Sequence, residues 1–85
     1  MIYRVVVEVT LREGISDPEG ATIERALPAL GFTAVSAVTA GRLFRMSVEA
    51  DDDEGALATG RRLAERLLAN PVIEDAKVRL EQRVG

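Results

Sequence analysis

The first eleven residues after Met1 limit the fold of this chain more than any other segment does. Over residues 2–12 the side chains alternate with a period of two, and most of them on one side are β-branched. The more apolar side consists of Tyr3, Val5, Val7, Val9 and Leu11. This pattern predicts a long strand that ends near Gly14 and directs one face to the core.

A helix and a weaker strand are predicted next. Asp17 can cap the first free N–H groups of a helix, and Pro18 is tolerated at its first position. Apolar residues then recur at helical spacing as far as Leu30. Pro28 lies inside this pattern and predicts a kink or early fraying, because proline removes a backbone donor. The small residues at 33–40 predict a weaker strand.

The second half of the chain repeats the order of elements. A tight turn at Gly41-Arg42 followed by alternation over 43–50 predicts a hairpin. An acidic start and a central apolar stripe predict a helix over 53–69, which Asn70-Pro71 ends. A last alternating segment predicts a strand at about 73–82.

The resulting order, β-α-β-β-α-β, predicts an α+β sandwich of the ferredoxin-like type in a single domain over residues 1–85. Right-handed crossovers would place both helices on one sheet face. No element remains to cover the other face, which is half apolar and half charged. We expect this face to contact a second copy, with a solvated face as the alternative. Its residues include Arg4, Val6, Glu8, Leu43 and Arg45.

The composition excludes several chemistries. The chain has no His and no Cys, so it cannot form a Ser-His or Cys-His pair or a His or Cys metal site. The acidic run at 51–54 does not match a calcium loop, since Gly55 stands fifth and not sixth. No phosphate-cradling glycine motif is present. We therefore predict no catalytic, cofactor-binding or metal-binding residue in this chain.

Charge and hydropathy limit the partners. The net charge is −3, and the basic residues are interleaved with acidic ones, so nucleic-acid binding is not expected. The apolar runs are far shorter than the roughly 20 residues that span a bilayer, so no membrane association is expected either. The N-terminus reads as a strand and not as a signal peptide, which predicts a cytoplasmic protein.

Several segments together resemble the PurS family, the small subunit of phosphoribosylformylglycinamidine synthase. Residues 9–20 follow the pattern V-T-L-x-x-G-I-x-D-P-x-G, and residues 67–75 read L-L-A-N-P-V-I-E-D. Segments at 23–32 and 48–50 match in order and spacing. Pro28 in the first helix and the arginines of the second helix are mild departures from the family pattern.

The resemblance implies a non-catalytic subunit of a purine-biosynthesis complex. In that complex the glutaminase PurQ releases ammonia from glutamine. The synthetase PurL uses ATP and Mg²⁺ to activate formylglycinamide ribonucleotide for attack by the ammonia. Members of the family act as homodimers, with a tetramer left open, and bridge the two enzymes. This chain would hold no cofactor itself.

Two family-typical loop segments are the candidate partner contacts, because loops commonly carry such contacts. The first is the turn at Gly14–Gly20 and the second is the helix-to-strand corner at Asn70–Asp75. The candidate residues are Gly14, Asp17, Pro18, Gly20, Asn70, Pro71, Glu74 and Asp75. The alternative is that both segments are caps and turns that serve the fold alone.

Two other classes share this order of elements. A regulatory domain of the ACT kind would bind a small molecule such as an amino acid at a dimer interface. An acylphosphatase would need a catalytic arginine loop and a partnering asparagine, and neither pattern is found here. Binding of amino acids, or association with a glutaminase, would distinguish the first class from a PurS-like subunit.

Overall fold

The computed structural model describes residues 1–83, which form one antiparallel sheet with two helices. The first half contains strand β1 (Ile2–Leu11), helix α1 (Pro18–Ala26) and a 3₁₀ turn (Pro28–Leu30). The second half contains β2 (Gly41–Glu49), α2 (Asp53–Leu63) with a π-helical turn at Ala64–Leu68, and β3 (Glu74–Arg83). The α+β class is confirmed, and the arrangement is consistent with a ferredoxin-like fold.

Strand β1 lies at the centre of the sheet, whose order is β2-β1-β3. Both neighbours run antiparallel to it, so each inward-facing residue of β1 has a partner on either side. Val7, for example, lies opposite Phe44 of β2 and Val78 of β3. The predicted inward face is confirmed, because Tyr3, Val5, Val7 and Val9 are buried.

Helix α2 covers this face through small residues spaced four apart. Ala56, Gly60 and Ala64 are buried, and the helix packs against all three strands. A Cβ atom on Gly60 would lie only 2.8 Å from Cγ1 of Val78 and 3.0 Å from Cγ1 of Val5. Glycine at this position therefore allows the close approach of the helix to the sheet, which outweighs its lower helix propensity.

Residues 33–40 form no strand, so the strand predicted there and the hairpin turn at Gly41-Arg42 are wrong. Ala37 has a φ of +56°, which interrupts an extended chain. The N–H groups of Val38 and Ala40 donate to the side chains of Glu24 and Asp17 instead of to a neighbouring strand. Side-chain carboxylates on α1 and at its N-cap thus take the place of a sheet neighbour.

Helix α1 ends early, as Pro28 predicts. The α-helix stops at Ala26 and gives way to the 3₁₀ turn, and Gly31 then adopts a φ of +89°. The apolar side of the helix is not covered within the described chain, since Ile23 is 44% exposed and Leu30 70% exposed. No helix among residues 1–83 is both long and apolar enough to cross a membrane.

Replacing Gly60 with alanine tests the packing of α2. We expect Gly60→Ala to destabilise the protein by about 1–3 kcal/mol, because the added methyl group overlaps Val5 and Val78. Gly55→Ala is the matched control in the same helix, where the atom nearest to an added Cβ is Oδ1 of Asp52 at 3.2 Å. Urea unfolding of both variants provides the measurement, and a stabilised Gly60→Ala protein would contradict this packing.

Candidate functional site

One carboxylate organises the first candidate segment, Gly14–Gly20. Oδ1 of Asp17 accepts the N–H of Gly20 at 2.9 Å, which caps α1, and Oδ2 accepts the N–H of Ala40 at 2.8 Å. The hydrogen bond from Ala40, and next that from Gly20, lower the pKa of Asp17 below its usual value. Asp17 therefore joins the start of α1 to the chain that enters β2.

Three further candidates in this segment have local structural roles. Gly14 has a φ of +85°, a conformation that side chains disfavour. Pro18 occupies the first turn of α1. A Cβ atom on Gly20 would lie 2.5 Å from the carbonyl oxygen of Val38, so the helix and the segment at 33–40 touch through backbone.

The second candidate segment, Asn70–Asp75, is a tight turn closed by its own side chains. Oδ1 of Asn70 accepts the N–H of Val72 at 3.0 Å, and the N–H of Asn70 donates to Oε1 of Glu74 at 2.7 Å. The Asn70 carbonyl oxygen in turn accepts the N–H of Glu74 at 2.8 Å. Asn70 and Glu74 thus each donate a hydrogen bond to the other, and the two bonds close the turn.

Arg42 completes this corner from β2. Its guanidinium donates to both carboxylate oxygens of Glu74, at 2.9 and 3.0 Å, and to the carbonyl oxygen of Leu68 at 3.1 Å. It also lies 5.6 Å from the ring centre of Phe44. Sequence reasoning missed this residue by placing it in a turn, and no local pattern joins it to a glutamate 32 positions away.

The hydrogen bond from Asn70 is the main cause of a lowered pKa at Glu74, and Arg42 lowers it further. Carboxylates that stay ionised and hydrogen-bonded near neutral pH are poor general acids or bases. Among residues 1–83, no group of three or more acidic side chains is arranged to hold a metal ion. The lowered pKa therefore suits Glu74 to holding this turn as a carboxylate and not to transferring a proton.

The fold brings the two candidate segments to the same end of the sheet. Asp17, Pro18, Arg42 and Glu74 line one shallow cleft of about 230 Å³. Asp75 points to the other side of the corner, where its Oδ1 accepts from Nε of Arg12 at 3.1 Å.

A larger cleft of about 620 Å³ lies beside this corner, between α2 and β3. Pro71 and Asp75 of the candidate segment line it, together with Arg61 of α2. The second candidate segment therefore borders two clefts, whereas Gly14 and Gly20 are set back from the larger one.

The predicted oligomer face is also assembled as one surface. Arg4, Val6 and Glu8 of β1 lie opposite Ser47, Arg45 and Leu43 of β2, respectively. Val6 is nevertheless 0% exposed. Arg45 reaches across β1 to Glu81 at 3.0 Å, and Arg79 pairs with Glu8 at 3.0 Å. These ion pairs cover Val6, so charged groups dominate the face.

Removing the charge of Glu74 tests the corner through its pH dependence. A carboxyl group whose pKa is lowered in the folded state stabilises the protein at a pH above its pKa in the unfolded state. This stabilisation is lost as the pH falls through the pKa of the folded state. We expect Glu74→Gln to be less stable than the parent at pH 7, with the difference shrinking below about pH 4. Urea midpoints at pH 7 and pH 3 measure this effect.

The exposed Glu13 of the preceding loop provides the control, since Glu13→Gln removes the same charge away from the corner. It should change stability little at either pH. An equal loss for Glu74→Gln at both pH values would show that shape, and not charge, matters at the corner.

Curated relatives match this chain along nearly its full length. The PurS family model, described as phosphoribosylformylglycinamidine (FGAM) synthase, matches residues 4–82. The PurS subunit of Methanocaldococcus jannaschii is 35% identical, over 95% of this chain and 98% of its own. The PurS subunit of Mycobacterium leprae is 42% identical, over 94% of this chain and 98% of its own.

Solved structures agree with these matches. The PurS subunit of Thermotoga maritima superposes with a TM-score of 0.87 at 32% identity, covering 94% of this chain and 92% of its own. A chain in the structure of PurLQS from the same organism gives a TM-score of 0.86 at 32% identity, covering 94% and 98%. This chain therefore belongs to the PurS family of phosphoribosylformylglycinamidine synthase subunits.

Proposed function

We propose that this chain is the non-catalytic small subunit of phosphoribosylformylglycinamidine synthase and bridges a PurQ glutaminase and a PurL synthetase in purine biosynthesis. The observation that carries the proposal is the likeness, over 94% of this chain, to a subunit in the PurLQS structure of Thermotoga maritima. Its setting would be the cytoplasm, where a purine-biosynthesis complex finds its substrates.

The chemistry of the reaction supports a positioning role. A glutaminase of this type needs a cysteine and a histidine, and this chain has neither. ATP and Mg²⁺ would act in the synthetase, where ammonia attacks the activated carbon and phosphate leaves. This chain would hold no cofactor itself and would keep the two enzymes oriented so that ammonia does not escape to solvent.

We also propose that the chain forms a homodimer through α1 and not through the sheet face that carries Arg4, Val6 and Glu8. The chain is elongated, with a Cα radius of gyration of 16.2 Å against about 12 Å for a compact chain of this length. Exposed apolar side chains follow one another along the helix and the segment after it. They are Ile23, Leu30, Phe32 and Val35.

The core face of the sheet offers a matching surface. Phe44 and Met46 of β2 pack against the core but remain half-buried. One chain thus has an apolar helix, α1, that packs on no sheet, and an apolar part of β2 that α2 covers only partly. In a dimer, α1 of each copy can pack beside α2 on the sheet of the other and bury both surfaces. The ion pairs around Val6 make the opposite sheet face a weaker candidate for the dimer contact.

An aspartate in the apolar 3₁₀ turn that follows α1 tests the dimer. We expect Leu30→Asp to convert the dimer to a monomer at about 10 µM, because a charge would be buried at the contact. Leu67→Asp is the matched control, since Leu67 is similarly exposed at 75% but lies at the end of α2. Sedimentation equilibrium gives the mass, and a wild-type monomer at tens of micromolar would contradict the dimer.

Reconstitution with purified glutaminase and synthetase subunits tests the proposed function. Omitting this chain should lower glutamine-dependent synthesis at least about tenfold, because the positioning of the two enzymes is lost. Synthesis from added ammonium chloride should remain, since free ammonia bypasses the glutaminase. Glutamine-dependent synthesis at the full rate without this chain would overturn the proposal.

A further inference from the structure

The outer edge of β2 has no neighbouring strand within residues 1–83, because the order of the sheet is β2-β1-β3. An edge of this kind presents backbone N–H and C=O groups that can pair with a further strand. The segment at 33–40 directly precedes β2, and among residues 1–83 the N–H groups of Val35 and Thr39 donate no hydrogen bond. An open strand edge and an unpaired segment therefore occur in the same chain.

The junction between this segment and β2 is fixed in the sheet. Gly41 and Arg42, the two residues that would form a hairpin turn, lie in the ladder with β1. A Cβ atom on Gly41 would lie 2.7 Å from the carbonyl oxygen of Val9, so the backbone packs closely on β1 here. The guanidinium of Arg42 also donates to both carboxylate oxygens of Glu74. The chain therefore passes through Gly41 without turning back, and the segment does not reach the β2 edge of its own chain.

The segment is attached to α1 by two side chains. Asp17 accepts the N–H of Ala40 at 2.8 Å, and Glu24 accepts the N–H of Val38 at 2.9 Å. We call residues 17–40, from the cap of α1 to the start of β2, the α1 unit. Because these hydrogen bonds link the helix to the segment, α1 accompanies the segment to any edge on which it pairs.

We propose that two copies of this chain exchange their α1 units, so that the segment at 33–40 of each copy adds to the outer edge of β2 in the other. The chain from 33 to 49 then pairs antiparallel with the same residues of the second copy, and the twofold axis passes beside Gly41 and Arg42. Exchange of one element gives each copy the contacts that a closed ferredoxin-like chain would make within itself. This inference rests on the proposed homodimer, which is part of the proposed function, and names the strand contact that joins its two copies.

The side chains are compatible in this register. Val35, which is 48% exposed in the single chain, comes to lie opposite Val48 of the second copy. Residues 33–41 carry no charge, so the charged side chains of β2 meet no like charge across the new contact. Ala37 has a φ of +56°, which is disfavoured for alanine, and pairing extends it. Release of this strained conformation favours the exchanged form.

Single cysteines test the exchange, because the chain has no cysteine of its own. Ser36→Cys and Ser47→Cys replace two exposed serines that the exchange places opposite each other in different copies. The two single variants are mixed in urea, refolded together and treated with a short bismaleimide. A denaturing gel should show a cross-linked species of twice the chain mass.

Each single variant on its own is the matched control. The two copies of position 36 lie roughly 35 Å apart across the twofold axis, as do the two copies of position 47, beyond the reach of the cross-linker. The mixture should therefore give at least about tenfold more cross-linked product than either variant alone. Circular dichroism and sedimentation should show that both variants keep the fold and the mass of the wild type.

The double variant Ser36→Cys/Ser47→Cys distinguishes exchange from a closed chain. Within one chain, roughly 20 Å of extended β2 separates Gly41 from Ser47, so its two cysteines should link only to those of another copy. A link within one chain, recognised by its monomer mass, would overturn the exchange in favour of a segment folded back on its own β2.

The remaining outcomes separate this inference from the proposed function. A dimer by sedimentation equilibrium whose mixed single variants give no cross-link would overturn the exchange and leave the proposed homodimer intact. A wild-type monomer would overturn both the exchange and the homodimer. Reconstitution with the glutaminase and the synthetase decides the bridging function in either case.

Discussion

The enclosure of β1 on both faces is the constraint on which the rest of this structure depends. Val5, Val7 and Val9 lie on the helix-covered face and Val6 on the charged face, and all four are at most 1% exposed. Small residues of α2 seal one face, and the Arg45–Glu81 and Arg79–Glu8 pairs lie over the other. A chain of this size has a small core, so the one strand enclosed from both sides organises the two other strands and α2.

The elements with a clear periodicity could be predicted from the sequence. Alternation identified β1, and Pro28 identified the early end of α1. The segment at 33–40 could not be identified correctly from its strand-like composition. Two carboxylates distant in sequence accept N–H groups that a strand would donate to its neighbour in a sheet. Similarly, helix propensity alone disfavours a glycine at position 60, although an added Cβ atom there would lie within 3.0 Å of two valine side chains.

The candidate site illustrates the same division between local and distant information. The family-typical residues Asp17, Asn70 and Glu74 were found from the sequence, but their hydrogen bonds serve the turns themselves. Their contact with a partner remains a prediction. Arg42, which fixes the corner, gave no signal because its partner lies on another strand.

The double acceptance by Asp17 has a consequence for how this subunit can adapt. One carboxylate holds the first turn of α1 and the chain 23 residues later, so both ends of that excursion share a single anchor. The helix and the 3₁₀ turn beyond it therefore form an arm fastened at its base. The position of this arm is therefore set by two carboxylate contacts, Asp17 with Ala40 and Glu24 with Val38, and not by the ladder hydrogen bonds of the sheet.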